Sequence, residues 1–173
     1  MAQTNESDYG FSLDAAQAGQ KAGLDFDHVE SFAAEGAVFF GAGVAAGTDP
    51  EKQVAVAAAA ADDFMGVSLF THKQVQGIDM AASMGDQYST GAEYRDKDTV
   101  NVLRRGRVYV EVTAEVAAGD TAYVDVTTGG EEGKFTNAAD DGAGTPTDNL
   151  ATGGTFRSGA DVGELAIVEI NLP

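Results

Sequence analysis

The sequence lacks cysteine and tryptophan, and it contains only three prolines among 173 residues. Without cysteine the chain has no disulfide, no thiolate metal ligand and no cysteine nucleophile. The longest uninterrupted apolar run is residues 54–61, whereas a helix that crosses a bilayer needs about 20 apolar residues. The first ten residues also lack the basic and apolar regions of a secretory signal. We therefore expect no membrane partner.

Positive charge is scarce, because 10 Lys and Arg stand against 28 Asp and Glu and give a formal net charge of -18. Affinity for a nucleic acid backbone depends on Lys and Arg, and a negative field of this size repels phosphate. The charge balance therefore argues against direct contact with nucleic acid. An acid excess is also typical of proteins from saline habitats. The negative charge therefore reflects either the binding partner of the protein or a saline environment.

Glycine is the abundant residue, with 22 copies where average usage of about 7% predicts roughly 12. Strands joined by turns use glycine in this way, whereas a glycine inside a helix costs about 1 kcal/mol relative to alanine. The length fits one domain. Composition thus favours a single all-β domain.

Period-2 alternation of apolar and polar residues predicts strands. The clearest is Val108–Val116, followed by a turn at 117–120 and renewed alternation over 122–127. A separate strand is predicted over 99–104, divided from the first by Arg105-Gly106, and a central strand covered on both sides over 162–172. Shorter apolar runs flanked by Gly, Asp or Pro predict three more strands, at 37–40, 53–56 and 64–70, and the alanine run predicts a helical turn near 58–63.

The two ends of the predicted domain differ in pattern. Residues 1–35 show no sustained strand period and predict an extended arm, with a short helix over Ser12–Lys21, ahead of a β domain over 36–173. A long loop is predicted over 128–154, either irregular or weakly paired around 134–136. Apolar side chains on the arm need a surface to pack on, either the chain's own domain or a neighbouring subunit; they are Tyr9, Phe11, Leu13, Leu24, Phe26, Val29 and Phe32.

No motif predicts catalysis. Residues 41–46 match the dinucleotide-binding glycine fingerprint, but Gly47-Thr48-Asp49-Pro50 stops the long helix that the fingerprint requires. The two histidines, His28 and His72, are far apart, and no G-x-S-x-G sequence occurs. Three acids in the long loop, Asp140, Asp141 and Asp148, lack the ordered spacing of a dedicated calcium site. We expect neither an enzyme nor a cofactor.

One segment concentrates positive charge. Half of all Lys and Arg residues fall within 13 positions: Arg95, Lys97, Arg104, Arg105 and Arg107. These cations either protect an edge strand and pair with the excess acids of the chain, or form a docking stripe for an acidic partner or a second subunit.

The order of several short motifs, rather than any one of them, resembles the structural cement, or decoration, proteins of tailed bacteriophage capsids. The resemblance covers nearly the whole chain. Its motifs are Val29-Glu30-Ser31, Gly36-Ala37-Val38-Phe39-Phe40-Gly41, Phe64-Met65-Gly66-Val67, the segments 100–112 and 118–124, Gly133-Lys134-Phe135, 154–160 and 163–172.

The resemblance implies a small β-barrel or jelly-roll-like domain with an extended arm. Proteins of this kind assemble as small homo-oligomers, dimers or trimers, on the outer capsid surface of a virion that is assembled in the host cytoplasm. There they clamp adjacent subunits of the major capsid protein, without catalysis. The implied interface combines the seven arm residues and the five cations named above.

A second class remains open at this point, a carbohydrate- or surface-binding β-sandwich with optional calcium assistance. Its recognition site would be the loop at 128–154. The absence of tryptophan and the placement of Tyr109 and Tyr123 within predicted strands favour the cement interpretation.

Overall fold

The structure is a computed structural model that describes residues 16–23, 27–71, 93–127, 131–140 and 149–173. All regular elements in these ranges are β-strands. They are β1 (His28–Ala34), β2 (Val38–Phe39), β3 (Gly43–Ala46), β4 (Gln53–Val56), β5 (Phe64–Ser68), β6 (Glu93–Tyr94), β7 (Thr99–Glu111), β8 (Thr121–Val124), β9 (Phe135–Thr136), β10 (Leu150–Phe156) and β11 (Leu165–Asn171).

Five strands close into a barrel in the order β1-β4-β3-β5-β7, with β7 pairing back onto β1. The contact between β1 and β4 is parallel and short, at Ala33 and Ala34. The other four contacts in the ring are antiparallel. Closure leaves no open side to the ring except where a strand is longer than its neighbour.

Strand β7 is the longest element, and its second half belongs to a further group of strands. Residues 105–111 of β7 pair with all of β11, and the sheet continues through β10 and β8 to β9. Two residues after β7, the Thr113 amide donates to the Phe135 carbonyl of β9 at 2.8 Å. One strand therefore links the barrel to the four-stranded extension.

The buried side chains form two clusters, and the larger one includes Phe64, Val67 and Leu103 of the barrel strands as well as the residues of the extension. The barrel encloses Val38, Val44, Val54, Val100 and Val102 with the aromatic rings of Phe40 and Tyr94. The extension buries the alternating residues of three strands, with Phe135 and Phe156; they are Val108, Val110, Ala122, Val124, Ala166, Val168 and Ile170. The alternation predicted from the sequence for these three strands is confirmed, but β11 fully buries only one face and is not covered on both sides as expected.

A small two-stranded sheet of β2 and β6 covers the barrel. Tyr94 of β6 is fully buried, and its hydroxyl donates to the Leu69 carbonyl at 2.6 Å. Phe40 meets the Tyr94 and Phe70 rings edge to face, with both centroid distances at 5.1 Å. This contact ties the chain that follows β5 to the barrel core.

Several predicted boundaries are wrong. Arg105-Gly106 does not divide two strands, because Gly106 adopts φ +135° and lets β7 run through it. Strand β7 ends at Glu111, and Val112 and Val116 make only isolated bridges. No helix forms in residues 16–21; the chain turns at Ala18-Gly19, and Lys21 bridges to β7. Residues 58–63 form a turn held by the Asp62 carboxylate, which accepts from the Ala58 and Ala59 amides.

Four strands lie in segments for which no strand was expected: β1, β3, β6 and β10. β1 falls at the end of the predicted arm, where it pairs with β7 and β4. β10 includes the end of the predicted long loop, while β9 corresponds to the weak pairing expected around 134–136. For β1 and β10 the partner strand, rather than a local pattern, imposes the extended conformation.

Candidate interaction surface

The N-terminal part of the described chain lies along β7. The Gly19 and Ala22 amides donate to the carbonyls of Tyr109 and Arg107 at 2.8 and 2.9 Å. The Gly19 carbonyl accepts from the Phe70 amide at 2.8 Å, so this residue joins β7 to the end of β5. We call residues 16–23 the docked segment, because backbone hydrogen bonds hold it against β7 and the chain that follows β5.

The predicted arm residues divide into two groups. Val29 and Phe32 lie on β1, where Val29 is 39% exposed and Phe32 packs against the barrel core. The other five, Tyr9, Phe11, Leu13, Leu24 and Phe26, lie outside the described residues.

The five clustered cations occupy two places. Arg95 and Lys97 lie in the turn between β6 and β7, where Lys97 adopts φ 68°. Arg104, Arg105 and Arg107 lie in the middle of β7. The Arg104 guanidinium donates to the Glu30 carboxylate at 3.0 Å, across the β1–β7 pair. The structure therefore places the five side chains along β7 and its preceding turn, where Lys97, Arg104 and Arg107 have carboxylate partners and Arg95 and Arg105 have none among the described residues.

Arg107 takes part in a three-residue ion-pair network on the extension. Glu169 accepts from Arg157 at 2.8 and 3.0 Å and from Arg107 at 2.6 Å. These hydrogen bonds, first from Arg157 and then from Arg107, lower the pKa of Glu169 from its ordinary value of 4.5 to about 2. The network ties the loop after β10 to β11 and β7.

Replacing this carboxylate by an amide should reduce stability in a pH-dependent way. Because the folded protein holds Glu169 ionised, its contribution is complete above about pH 4.5 and is lost as the pH falls towards 2. We expect Glu169→Gln to lower the free energy of unfolding by about 1 kcal/mol at neutral pH, since the network is partly exposed. Urea unfolding at neutral pH and near pH 3 measures both values.

Glu115→Gln is the matched control, because its carboxylate makes no ion pair within the described ranges and the charge change is the same. The deficit of the Glu169 variant relative to wild type should shrink at the lower pH. A deficit that stays constant with pH, or that equals that of the control, would count against the network.

Arg105 differs from the other cations of β7 because its guanidinium has no carboxylate partner among the described residues. It lines an open groove of about 600 Å³ with Asp27, His28, Asn171 and Leu172 as its neighbours. The groove lies beside the start of β1, where His28 and Arg105 face each other in the strand register. Arg105 shares this groove with Asp27, whose carboxylate is paired with Lys21, and with the C-terminal Pro173.

The segment expected to form a recognition loop lines a second, more polar basin beside β8 and β9. Lys134 lies there between the carboxylates of Glu111 and Glu131, at 2.8 and 3.0 Å, and the Glu111 hydrogen bond above all raises the pKa of this lysine. Asp140 lines the same basin, whereas Asp141 and Asp148 are outside the described residues. Within the described ranges no group of three or more His, Cys, Asp or Glu side chains is placed to hold a metal ion.

The remaining motifs do not form a site in the part of the chain that can be described. After the turn at Gly41 the glycine-rich sequence continues as strand β3, and no helix follows it, so the dinucleotide fingerprint is without its structural context. His28 lies 3.3 Å from Glu30 on the surface, and His72 is outside the described residues. A search of the described residues for a helix that could span a membrane finds none.

A closed barrel, a four-stranded extension and an N-terminal segment held by backbone hydrogen bonds define a small all-β protein. The family model described as "Structural cement protein (E217 gp24/Pam3 gp6)" matches residues 5–171. The chain therefore belongs to this family of phage structural cement proteins, as the motif order predicted.

A solved structure has the same fold. A chain in the structure titled "The capsid of Myoviridae Phage XM1" superposes with a TM-score of 0.67 and 18% sequence identity, over 90% of each chain. The predicted all-β, small-barrel class is thereby confirmed. No curated protein sequence matches.

Proposed function

We propose that this protein is a non-enzymatic component of a phage particle that binds the outer capsid surface and cements adjacent subunits of the major capsid protein. Membership of the structural cement family is the observation that carries this proposal. The fold shared with a chain from a phage capsid structure supports it. Assembly in the host cytoplasm belongs to the same proposal.

The docked segment supports a clamping role for the residues before it. Backbone hydrogen bonds hold Gly19 and Ala22 against β7. The 15 residues ahead of this segment would span about 50 Å if fully extended, and they include Tyr9, Phe11 and Leu13. We propose that these apolar side chains contact a neighbouring subunit, as do Leu24 and Phe26.

The charge of the chain supports the outer surface as its location. With a net charge of -18, the protein would be repelled by packaged nucleic acid. A small homo-oligomer, a dimer or a trimer, would multiply weak contacts with the shell through effective concentration.

The copy number of the protein in purified particles tests the proposed function. We expect about one copy per major capsid subunit, because a cement has to act throughout the shell. Quantitative mass spectrometry of particles, with the major capsid protein as internal standard, gives this ratio. Absence from particles, or only a few copies in each, would contradict the proposal and would make glycan binding the next activity to examine.

A further inference from the structure

The first half of β1 has an unpaired backbone edge. β4 pairs with β1 only at Ala33 and Ala34, so residues 28–32 carry β7 on one side and no described strand on the other. The Ala34 amide donates towards β7, to Asp98, and the Ala33 amide donates the opposite way, to Lys52, both at 2.8 Å. Because these directions alternate along an antiparallel strand, the amides and carbonyls of Val29 and Ser31 point away from β7.

These four backbone groups have no hydrogen-bond partner in the described part of the chain, and their residues are exposed. Val29 is one of two large apolar side chains exposed among the described residues, the other being Val162. Edge strands that must stay unpaired usually carry proline, lysine or an inward charge. The edge sequence His28-Val29-Glu30-Ser31-Phe32 has no proline or lysine, and Glu30 is neutralised by Arg104.

Arg105 supplies a charge at the end of this edge. In a chain with nearly three acids for each cation, most described cations have a carboxylate within 4 Å, but Arg105 has none there. It stands opposite His28 in the register, in the open groove described above. Arg105 lies on β7, one strand in from the unpaired edge, so a carboxylate from outside the chain that reaches across the start of β1 would find a guanidinium without an ion-pair partner.

A second copy of the chain is a poor occupant of this edge. The antiparallel register in which both copies use the groups of Val29 and Ser31 places the two copies of Glu30 opposite each other. Each Glu30 is paired with its own Arg104, so the repulsion comes mainly from the two chains as a whole, each of which carries a net charge of -18. Charge complementarity thus favours a different partner.

We propose that an extended segment of a neighbouring capsid subunit adds as a strand to the β1 edge. An apolar side chain of that segment packs against Val29, and one of its carboxylates pairs with the Arg105 guanidinium. This inference rests on the proposed function, because it takes the capsid as the partner. The proposal specifies the contacts with the capsid: main-chain hydrogen bonds at Val29 and Ser31 and one ion pair at Arg105.

Amide hydrogen exchange of the full-length protein, free and bound to particles stripped of it, tests the strand addition directly. The Val29 and Ser31 amides should exchange fast in the free protein and at least about tenfold more slowly on particles. Equal exchange in both states would overturn the strand addition and leave the proposed function intact. Slow exchange already in the free protein would show that the edge is filled by the chain itself or a second copy, and would overturn it as well. Failure of the wild-type protein to bind particles would overturn both proposals.

Two substitutions separate the backbone and charge components. Val29→Pro removes an amide that points away from β7, so the barrel keeps its hydrogen bonds, and particle binding should weaken about tenfold. Val162→Pro places a proline at the other exposed valine, in the turn before β11, and should bind as wild type. Arg105→Gln should weaken binding about threefold at low salt and less at high salt.

Arg95→Gln is the matched control for Arg105→Gln, since Arg95 is exposed, has no described carboxylate partner and lies in the turn before β7. The proposal places only Arg105 in the contact, so Arg95→Gln should bind as wild type, whereas a docking stripe that used all five cations would weaken both variants equally and would overturn the assignment to Arg105. Thermal unfolding of each free variant verifies the fold. Equal binding by all four folded variants would overturn the proposed site. If Val29→Pro does not fold, the hydrogen-exchange experiment and the comparison of Arg105→Gln with Arg95→Gln still test the proposal.

Discussion

Gly66→Ala should destabilise the protein by about 3–5 kcal/mol, a large part of the 5–15 kcal/mol typical of a domain. Gly66 lies in β5 with φ +140°, a conformation that residues with a side chain rarely adopt. A Cβ at this position would lie 2.3 Å from the Leu103 carbonyl oxygen and 2.8 Å from a Val102 methyl carbon. Both residues belong to β7, so the substitution forces apart two neighbouring strands of the closed ring.

Urea unfolding of the free protein measures this effect, and Gly163→Ala is its matched control. Gly163 also has a positive φ, +79°, but a Cβ there would meet no atom within 4 Å. That variant therefore carries only the conformational penalty, about 1 kcal/mol. If the two variants lose equal stability, the close approach of β5 to β7 is not what requires glycine at position 66.

The strands that could be predicted are those that bury one face in the extension. In the second half of β7 and in β11, alternate residues are fully buried while their neighbours are only partly covered. A one-residue slip would move every apolar side chain to the wrong face, so the sequence carries the period clearly. The predicted ends were less accurate because Val112 and Val116 keep the apolar period after the paired strand has stopped.

Strands β1 and β10 could not be predicted because neighbouring strands determine them. β10 has the sequence Leu150-Ala151-Thr152-Gly153-Gly154-Thr155-Phe156, in which glycines interrupt any propensity for a strand. Its register shifts between Ala151 and Gly154, and the buried Thr152 hydroxyl donates to the Ala122 carbonyl of β8. Such a strand is specified by distant contacts, which no local pattern reveals.

The candidate interface was predictable only as a concentration of charge. Five clustered cations were visible in the sequence, but their partners lie far along the chain: Glu30 is 74 residues from Arg104, and Glu169 is 62 residues from Arg107. Only the fold distinguishes these paired side chains from Arg105. The unpaired edge of β1 was also hidden, because its exposure depends on where β4 begins to pair.

Gly19→Ala should release the docked segment and remove the stabilisation of particles while leaving the barrel folded. Gly19 is buried and has φ +78°, and its backbone lies in close contact with the backbone of Gly41. A Cβ would lie 2.7 Å from the Phe70 nitrogen, 2.8 Å from the Gly41 nitrogen and 3.0 Å from the Ser68 oxygen. All three are backbone atoms of the barrel, so the segment has to move away rather than repack.

The consequence for function follows from where the arm is anchored. If residues 1–15 grip a neighbouring subunit, the force they transmit reaches the barrel through the hydrogen bonds at Gly19 and Ala22. Gly19→Ala should then reproduce the loss caused by deleting residues 1–15. Deleting residues 1–32 would be a poor comparison, because it removes most of β1 and opens the barrel.

The thermal stability of particles reloaded with each variant measures this effect, and Gly36→Ala is the matched control. Gly36 has φ +88°, and a Cβ on this residue would have no atom within 4 Å, so its substitution carries a backbone penalty without displacing the docked segment. We expect particles with the Gly19 variant to melt like undecorated particles, and those with the Gly36 variant to melt like wild type. If the Gly19 variant stabilises particles as well as the wild type does, the barrel surface and not the arm makes the stabilising contacts. The β1 edge would then be the principal contact with the capsid.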